Sequence, residues 1–248
     1  MFTPAEREAL REALVVAARD DPRIIAAALT GSAALDREDR WSDIDLALSV
    51  GDPGEVDGVV EAWSARMYGD HGAVQHVDVW LGATLFRVFL LPSTLQVDIA
   101  FWAAAEFGAI GPSFRLLFGS ANERPPGRAP DPVHLIGMGW LYALHARSSI
   151  ARGRTWQAEH MISAARDQVL ALACVRHELP AAYARGAHDL PAEVLVPLEA
   201  ALVGALDTGE LERAFHAVVD GLRDETRHVD GDLADRLAAP LASIRDLR

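Results

Sequence analysis

Apolar residues along this chain recur first with helical spacing, then with strand spacing, then with helical spacing again. Thr3-Pro4-Ala5-Glu6 has the form of a capping box with proline at the first helical position, and Leu10, Leu14 and Ala17 carry one apolar stripe to about Arg19. Ile24 to Leu29 is a β-branched and apolar run that stops at Thr30-Gly31-Ser32, which predicts a strand and then a turn. A short helix or turn is expected from Ala33 to Asp36. Asp43 to Val50 reads as the second strand, broken by Asp52-Pro53-Gly54, and Val59, Val60 and Trp63 give Glu55 to Tyr68 a helical period. Three strand-like runs follow, Val74 to Trp80, Thr84 to Leu91 and Leu95 to Phe101, the last two joined by a hairpin signal at Pro92-Ser93-Thr94.

The pattern changes at Gly119 to Pro132, where Ser120-Ala121-Asn122-Glu123-Arg124-Pro125-Pro126-Gly127 reads as a linker. Beyond it the period is helical. Asp131-Pro132 starts a helix to about Ile150, Thr155 caps a second to about His177, Leu190-Pro191 starts a third, Asp207 caps a fourth, and a last one spans Asp230 to Leu247. The expected architecture is α+β: a mixed β-sheet with helices over residues 1–119, a linker over 120–130, and an all-α helical bundle over 131–248.

Composition narrows the class. Half of the residues are hydrophobic, enough for a sizeable core, yet no apolar run is long enough to span a bilayer and the N-terminus carries no signal core. A single cysteine, Cys174, excludes an internal disulfide framework and is expected as a small core residue. These readings point to the cytoplasm and to no membrane partner. The net charge of −13 argues against a nucleic-acid footprint and is compatible with a cationic small-molecule partner. All 23 basic residues are arginine; without lysine there is no Schiff-base chemistry, and any phosphate must be met by arginine's bidentate fork.

The chemistry concentrates in a few residues. Asp43 and Asp45, at i and i+2 on a strand, project from one face, while Ile44 and Leu46 turn to the other. Two such carboxylates repel each other, and the arrangement makes sense around a divalent cation; magnesium favours hard oxygen ligands of this kind. A third carboxylate arrives at Asp98, where Val97, Ile99 and Phe101 alternate against it. Asp78, in Gln75-His76-Val77-Asp78-Val79-Trp80, competes for that place, and His76 with Asp78 is expected as a surface pair.

The ordered set Leu29-Thr30-Gly31-Ser32, Trp41-Ser42-Asp43-Ile44-Asp45-Leu46 and Gln96-Val97-Asp98-Ile99-Ala100 resembles the nucleotidyltransferase superfamily that includes DNA polymerase beta, over roughly the first half of the chain. The resemblance implies a nucleotidyltransferase-type mixed sheet, with ATP or another NTP as co-substrate and two Mg²⁺ ions held by Asp43, Asp45 and Asp98. Three carboxylates can clamp two such ions roughly 3.5–4 Å apart. It also implies that Gly31, Ser32 and Ser42 lie on the nucleotide side, that a hydroxyl attacks the α-phosphate, and that pyrophosphate leaves. The two-part layout looks like the aminoglycoside and lincosamide nucleotidyltransferases, notably the kanamycin type, which implies transfer of AMP to an antibiotic hydroxyl, a role in resistance, and a homodimer.

That type takes a glutamate base from its helical domain, but the run His134 to Ile150 holds no Glu or Asp. The substitute is Glu159, on one helical stripe with Ser163, Arg166 and Asp167. Arg154, with Arg152, is a candidate to meet the triphosphate. Trp140, Tyr142 and Trp156 are expected as core residues, and His134 and His145 as packing or surface residues. Two other readings stay open: modification of a protein by an antitoxin-like nucleotidyltransferase, and a catalytically silent nucleotide-binding protein.

Overall fold

The computed structural model of the chain describes residues 1–109, 111–125, 127 and 129–246. It divides into two compact units, Met1–Gly127 and Arg128–Arg248. The fold is α+β, with a mixed six-stranded sheet in the first unit and, among the described residues, helices alone in the second. Of the expected linker, Pro126 and Arg128 lie outside the described residues.

In the first unit, α1 (Pro4–Asp20) begins as the capping box predicts: Thr3 Oγ1 accepts from the Glu6 N–H at 3.2 Å, and Glu6 accepts in return from the Thr3 N–H at 2.7 Å. β1 (Ile24–Thr30) leads into the one-turn α2 (Gly31–Ala34), then β2 (Ile44–Val50), α3 (Val56–Gly69), β3 (Gln75–Leu81), β4 (Thr84–Leu90), β5 (Gln96–Ala103) and β6 (Phe114–Phe118). The sheet order is β3-β4-β5-β2-β1-β6; β2 and β5 run parallel, and the other neighbours are antiparallel. The parallel pair follows from the long connection between its strands, since antiparallel partners are what short turns allow. Two expectations are corrected. Asp43 stands just ahead of β2 instead of opening it, and β6, which was not expected, adds an edge strand beside β1.

The two faces of the sheet differ because the strands alternate. Ile44, Leu46, Leu48 and Val50 on β2 and Val97, Ile99 and Phe101 on β5 pack with Leu14 and Ala18 of α1 and Val59, Trp63 and Met67 of α3. Burying a side chain of this size contributes on the order of 1.5–3 kcal/mol. A one-residue slip of β2 or β5 would put Asp45 or Asp98 into that layer, so burial on one face fixes the carboxylates on the other. There Ala26, Ala28, Ala47, Ala100, Trp102 and Phe107 form a smaller buried cluster, with Phe86 and Phe114 packed against it.

The second unit is built on α4 (Pro132–Ala151), α5 (Thr155–Arg176) and α7 (Thr208–Val229), with the shorter α6 (Ala192–Glu199) and α8 (Gly231–Arg245). Asp131, Asp207 and Asp230 cap α4, α7 and α8 with their side chains. Thr155 does not cap α5: it is the first helical residue, and Arg154 precedes it without a side-chain cap. The expected end of the last helix, Leu247, lies outside the described residues. Glu225 of α7 is buried and takes both Arg176 Nε at 3.0 Å and Nη2 at 2.6 Å, a forked pair that staples α5 to α7. Cys174 is buried as expected, and burial pushes its thiol pKa up. Trp140 and Tyr142 pack against the core, but Trp156 is 77% exposed, against the expectation. No helix among the described residues is long and apolar enough to cross a membrane.

Candidate functional site

Asp45 and Asp98 are register partners on the parallel strands β2 and β5, one lateral step apart on the face away from the helices. Adjacent strands lie about 4.8 Å apart. Asp98 Oδ1 is buried and has no hydrogen-bond partner among the described residues. Its pKa is pushed up to about 6, chiefly because burial strips solvent from the carboxylate, and further because Asp43 places a like charge nearby. Asp43 Oδ2 accepts from Gln96 Nε2 at 3.1 Å, so the residue ahead of β2 is tied to the first residue of β5. Among the described residues, no three Asp, Glu, His or Cys side chains already form a group able to hold a metal ion.

Gly31 is packed directly on Asp45. Its φ is +59°, and a Cβ built there would overlap Asp45 Oδ2. Glycine is therefore required twice, by the left-handed backbone and by the carboxylate against it. Gly31→Ala is expected to lower stability by about 1–3 kcal/mol from backbone strain and to push Asp45 out of line with Asp98. A thermal melt of the variant alongside its activity checks both effects.

The peptide between Gly31 and Asp43 is held from both ends. Ser32 O accepts from the N–H groups of Leu35 at 3.2 Å and Arg37 at 3.0 Å. Arg115, from β6, donates to Ala33 O and Asp36 Oδ1, both at 2.6 Å. At the other end Arg7 of α1, only 5% exposed, donates through Nη1 to Asp39 O at 2.5 Å and Ser42 O at 3.0 Å, while Arg11 Nη1 meets Glu38 Oε2 at 2.6 Å. Ser42 Oγ is engaged within this loop, accepting from the Asp39 N–H at 2.9 Å and donating to Asp39 Oδ1 at 3.2 Å. Trp41 is 61% exposed, with the Arg40 guanidinium 4.1 Å above its ring. Arg7, Arg115 and Gln96 were not among the predicted residues. Arg7 alone leaves a signal in the sequence, since it continues the apolar stripe of Leu10 and Leu14 where an unpaired arginine would be costly.

Parity decides between Asp98 and Asp78. Asp78 pairs across the sheet with Arg87, and Arg87 with Ile99, so all three share the helix-covered face. There Asp78 takes a bidentate fork from Arg87, Nε to Oδ1 at 2.7 Å and Nη2 to Oδ2 at 2.6 Å, which holds its carboxyl below the usual range. Arg87 also donates to Ser64 of α3 at 2.8 Å. His76 is on this same side, its Nδ1 2.8 Å from the Tyr68 hydroxyl. Asp98 faces the opposite way, as Asp45 does.

In the second unit, Glu159 Oε1 accepts from Ser163 Oγ at 2.8 Å, and Arg166 pairs with Asp167 at 3.2 Å, so the expected polar stripe of α5 is partly tied within itself. Arg152 and Arg154 are exposed at the turn between α4 and α5. A cavity of about 830 Å³ lies between α7 and α8, but charged groups along it bind one another, Arg245 and Arg223 both meeting Asp220.

No family model matches the sequence, and no curated protein matches it. Among solved structures, an aminoglycoside 6-adenyltransferase from Bacillus subtilis is similar over 93% of this chain and 95% of that one, at 12% sequence identity and a TM-score of 0.42. A likeness of that degree adds nothing to the chemistry of the carboxylates, which stands on their geometry.

Proposed function

We propose that the first unit transfers a nucleoside monophosphate, AMP as the working assignment, from an NTP to a hydroxyl of a small molecule. The observation that carries this reading is the pairing of Asp45 with Asp98 on parallel strands, with Gly31 closed against Asp45. The hydroxyl oxygen attacks the α-phosphorus; its new P–O bond forms as the α–β anhydride bond breaks, and pyrophosphate leaves with the electron pair. The hydroxyl proton goes to a base. Asp43, Asp45 and Asp98 offer only hard oxygens, and the orphaned Oδ1 of Asp98 lacks the partner that a cation would be, so this donor set fits Mg²⁺. When bound, Mg²⁺ would neutralise charge on the α-phosphate and the leaving pyrophosphate.

The protein's own part is positioning. Arg115 and Arg7 fix the loop between the Gly-Ser turn and Asp43, so the carboxylates keep their places without being rebuilt at each turnover. Gly31 lets the backbone come close to a phosphate, and Ser32 offers a hydroxyl beside it. Glu159 as base, Arg154 as a phosphate contact and Ser42 on the nucleotide side stay in the proposal on their sequence positions alone.

The test is incubation with each α-labelled NTP, Mg²⁺ and a panel of hydroxyl compounds that includes aminoglycosides and lincosamides. Pyrophosphate release that depends on one compound, label on that compound, and loss of both with a chelator are expected. Label on a co-purified protein instead would turn the reading to protein modification. An absence of NTP binding would sink the proposal.

A further inference from the structure

The sheet carries a second feature on the row of the carboxylates. Val77 of β3 pairs with Val88 of β4, Val88 pairs with Asp98 of β5, and Asp98 with Asp45 of β2. Four side chains thus stand in one lateral line on one face, with Val88 about 5 Å and Val77 about 10 Å from the Asp98 position by strand spacing. One row over, Gln75 pairs with Leu90 and Leu90 with Gln96, the residue that donates to Asp43. A cavity of about 320 Å³ opens along these two rows. Its apolar wall on the carboxylate face is Val77, Val88 and Leu90, and Val77 is 56% exposed on an edge strand. Its polar groups include the amides of Gln75 and Gln96.

Among the described residues its lining holds no aspartate, glutamate or arginine, and His76, which also borders it, turns its ring to the Tyr68 hydroxyl on the other face. An ammonium group placed there would have no carboxylate in the lining to pair with, since the nearest ones, Asp43 and Asp98, are those the transfer reading assigns to the cation. An alkyl or aromatic group would bury against the valines, and a carbonyl or hydroxyl would find an amide donor. The volume lies at the low end for small-molecule sites, enough for part of a molecule. Gln96 belongs both to the cavity wall and to the contacts of Asp43, so a group seated here lies beside the carboxylates.

We propose that this cavity holds the body of the acceptor, and that the acceptor is a hydroxyl compound with an uncharged alkyl or aromatic part rather than a polycationic amino sugar. The assignment rests on the transfer reading above and gives its acceptor a chemical class. The wall is on β3 and β4, strands outside the Gly-Ser and Asp-x-Asp segments, so it can select acceptors without altering the carboxylates.

Two variants and one binding measurement test it. Val77→Trp fills the cavity from an exposed strand position, where tryptophan suits the backbone. It is expected to raise the KM for alkyl- or aryl-bearing hydroxyl acceptors by on the order of tenfold or more, with the KM for the NTP unchanged. Gln75→Glu places a carboxylate at the rim and is expected to shift preference toward amine-bearing acceptors. In parallel, saturation-transfer NMR on the full chain uses octyl glucoside below its micelle concentration as the neutral alkyl probe and an aminoglycoside as the polycationic one. Alkyl-proton signal with wild type that is lost in Val77→Trp supports the site. Transfer to polycationic amino sugars alone, or acceptor KM values that neither variant moves, would overturn the site and leave the transfer reading standing. Alkyl binding lost in Val77→Trp, with no transfer to any compound, would retain the site and refute transfer. No alkyl signal with wild type refutes the site.

Discussion

Asp45→Asn is expected to lower transfer by on the order of 10³-fold, while circular dichroism and the thermal melt show the same fold. The substitution keeps the shape of the side chain and removes its charge. Asp45 stands between Gly31 on one side and its register partner Asp98 on the other. An asparagine there offers one neutral oxygen where the carboxylate offered two charged ones, so affinity for a hard cation falls and the charge that builds on the phosphates goes uncompensated. A rise in the Mg²⁺ concentration needed for residual activity separates this from simple misfolding. If the variant retains transfer within a few-fold of wild type, the carboxylate pair is not the catalytic centre.

Asp98→Asn should abolish transfer and yet stabilise the protein at neutral pH. Burial and the charge of Asp43 raise the Asp98 pKa from 3.8 to about 6. A shift of about two units corresponds to roughly 3 kcal/mol of differential stabilisation of the protonated form. The sign follows from proton uptake. Between pH 4 and 6 the folded state holds more protons at this group than the unfolded state, so the contribution to stability is present below pH 4 and is lost as pH rises through about 6. Above that, wild type holds an ionised carboxylate in a place that disfavours it. Asparagine removes that charge; burying its amide takes back part of the gain, leaving about 1–2 kcal/mol at pH 8. Denaturant melts at pH 8 and pH 4 are the measurement, with the advantage of the variant expected at pH 8 and absent at pH 4. A less stable Asp98→Asn at pH 8 would show that the ionised form is well accommodated without a cation. Stability given up at one carboxylate is what a site kept for charge chemistry would display.

Much of this was legible in the chain. The apolar and β-branched runs gave five of six strands, four of them with residues buried in the sheet and β3 as a mostly exposed edge. β6 escaped because Phe114-Arg115-Leu116-Leu117-Phe118 is a short edge strand without clean alternation. Asp43 and Asp45 were legible because the apolar residues around them state which way each side chain points. The choice between Asp78 and Asp98 was not secure, since both sit on strands among apolar neighbours, and only the pairing of β3, β4 and β5 assigns them to opposite faces. The loop anchors were hidden for a similar reason: Arg115 reaches Ala33 across 82 residues and Gln96 reaches Asp43 across 53. The bonds of the Ser42 hydroxyl to Asp39 within its own loop were likewise not legible in the sequence.

By itself, then, the sequence determined the α+β order of elements, the glycine turn and the pair of carboxylates, because local periodicity and steric demand are written in neighbouring residues. The tertiary structure alone decided that Asp98 stands beside Asp45, that Asp78 is spent on Arg87, and that two valines extend the carboxylate row into an uncharged cavity. Each of these depends on register between strands distant in the chain, where a shift of a single residue would turn every side chain to the other face.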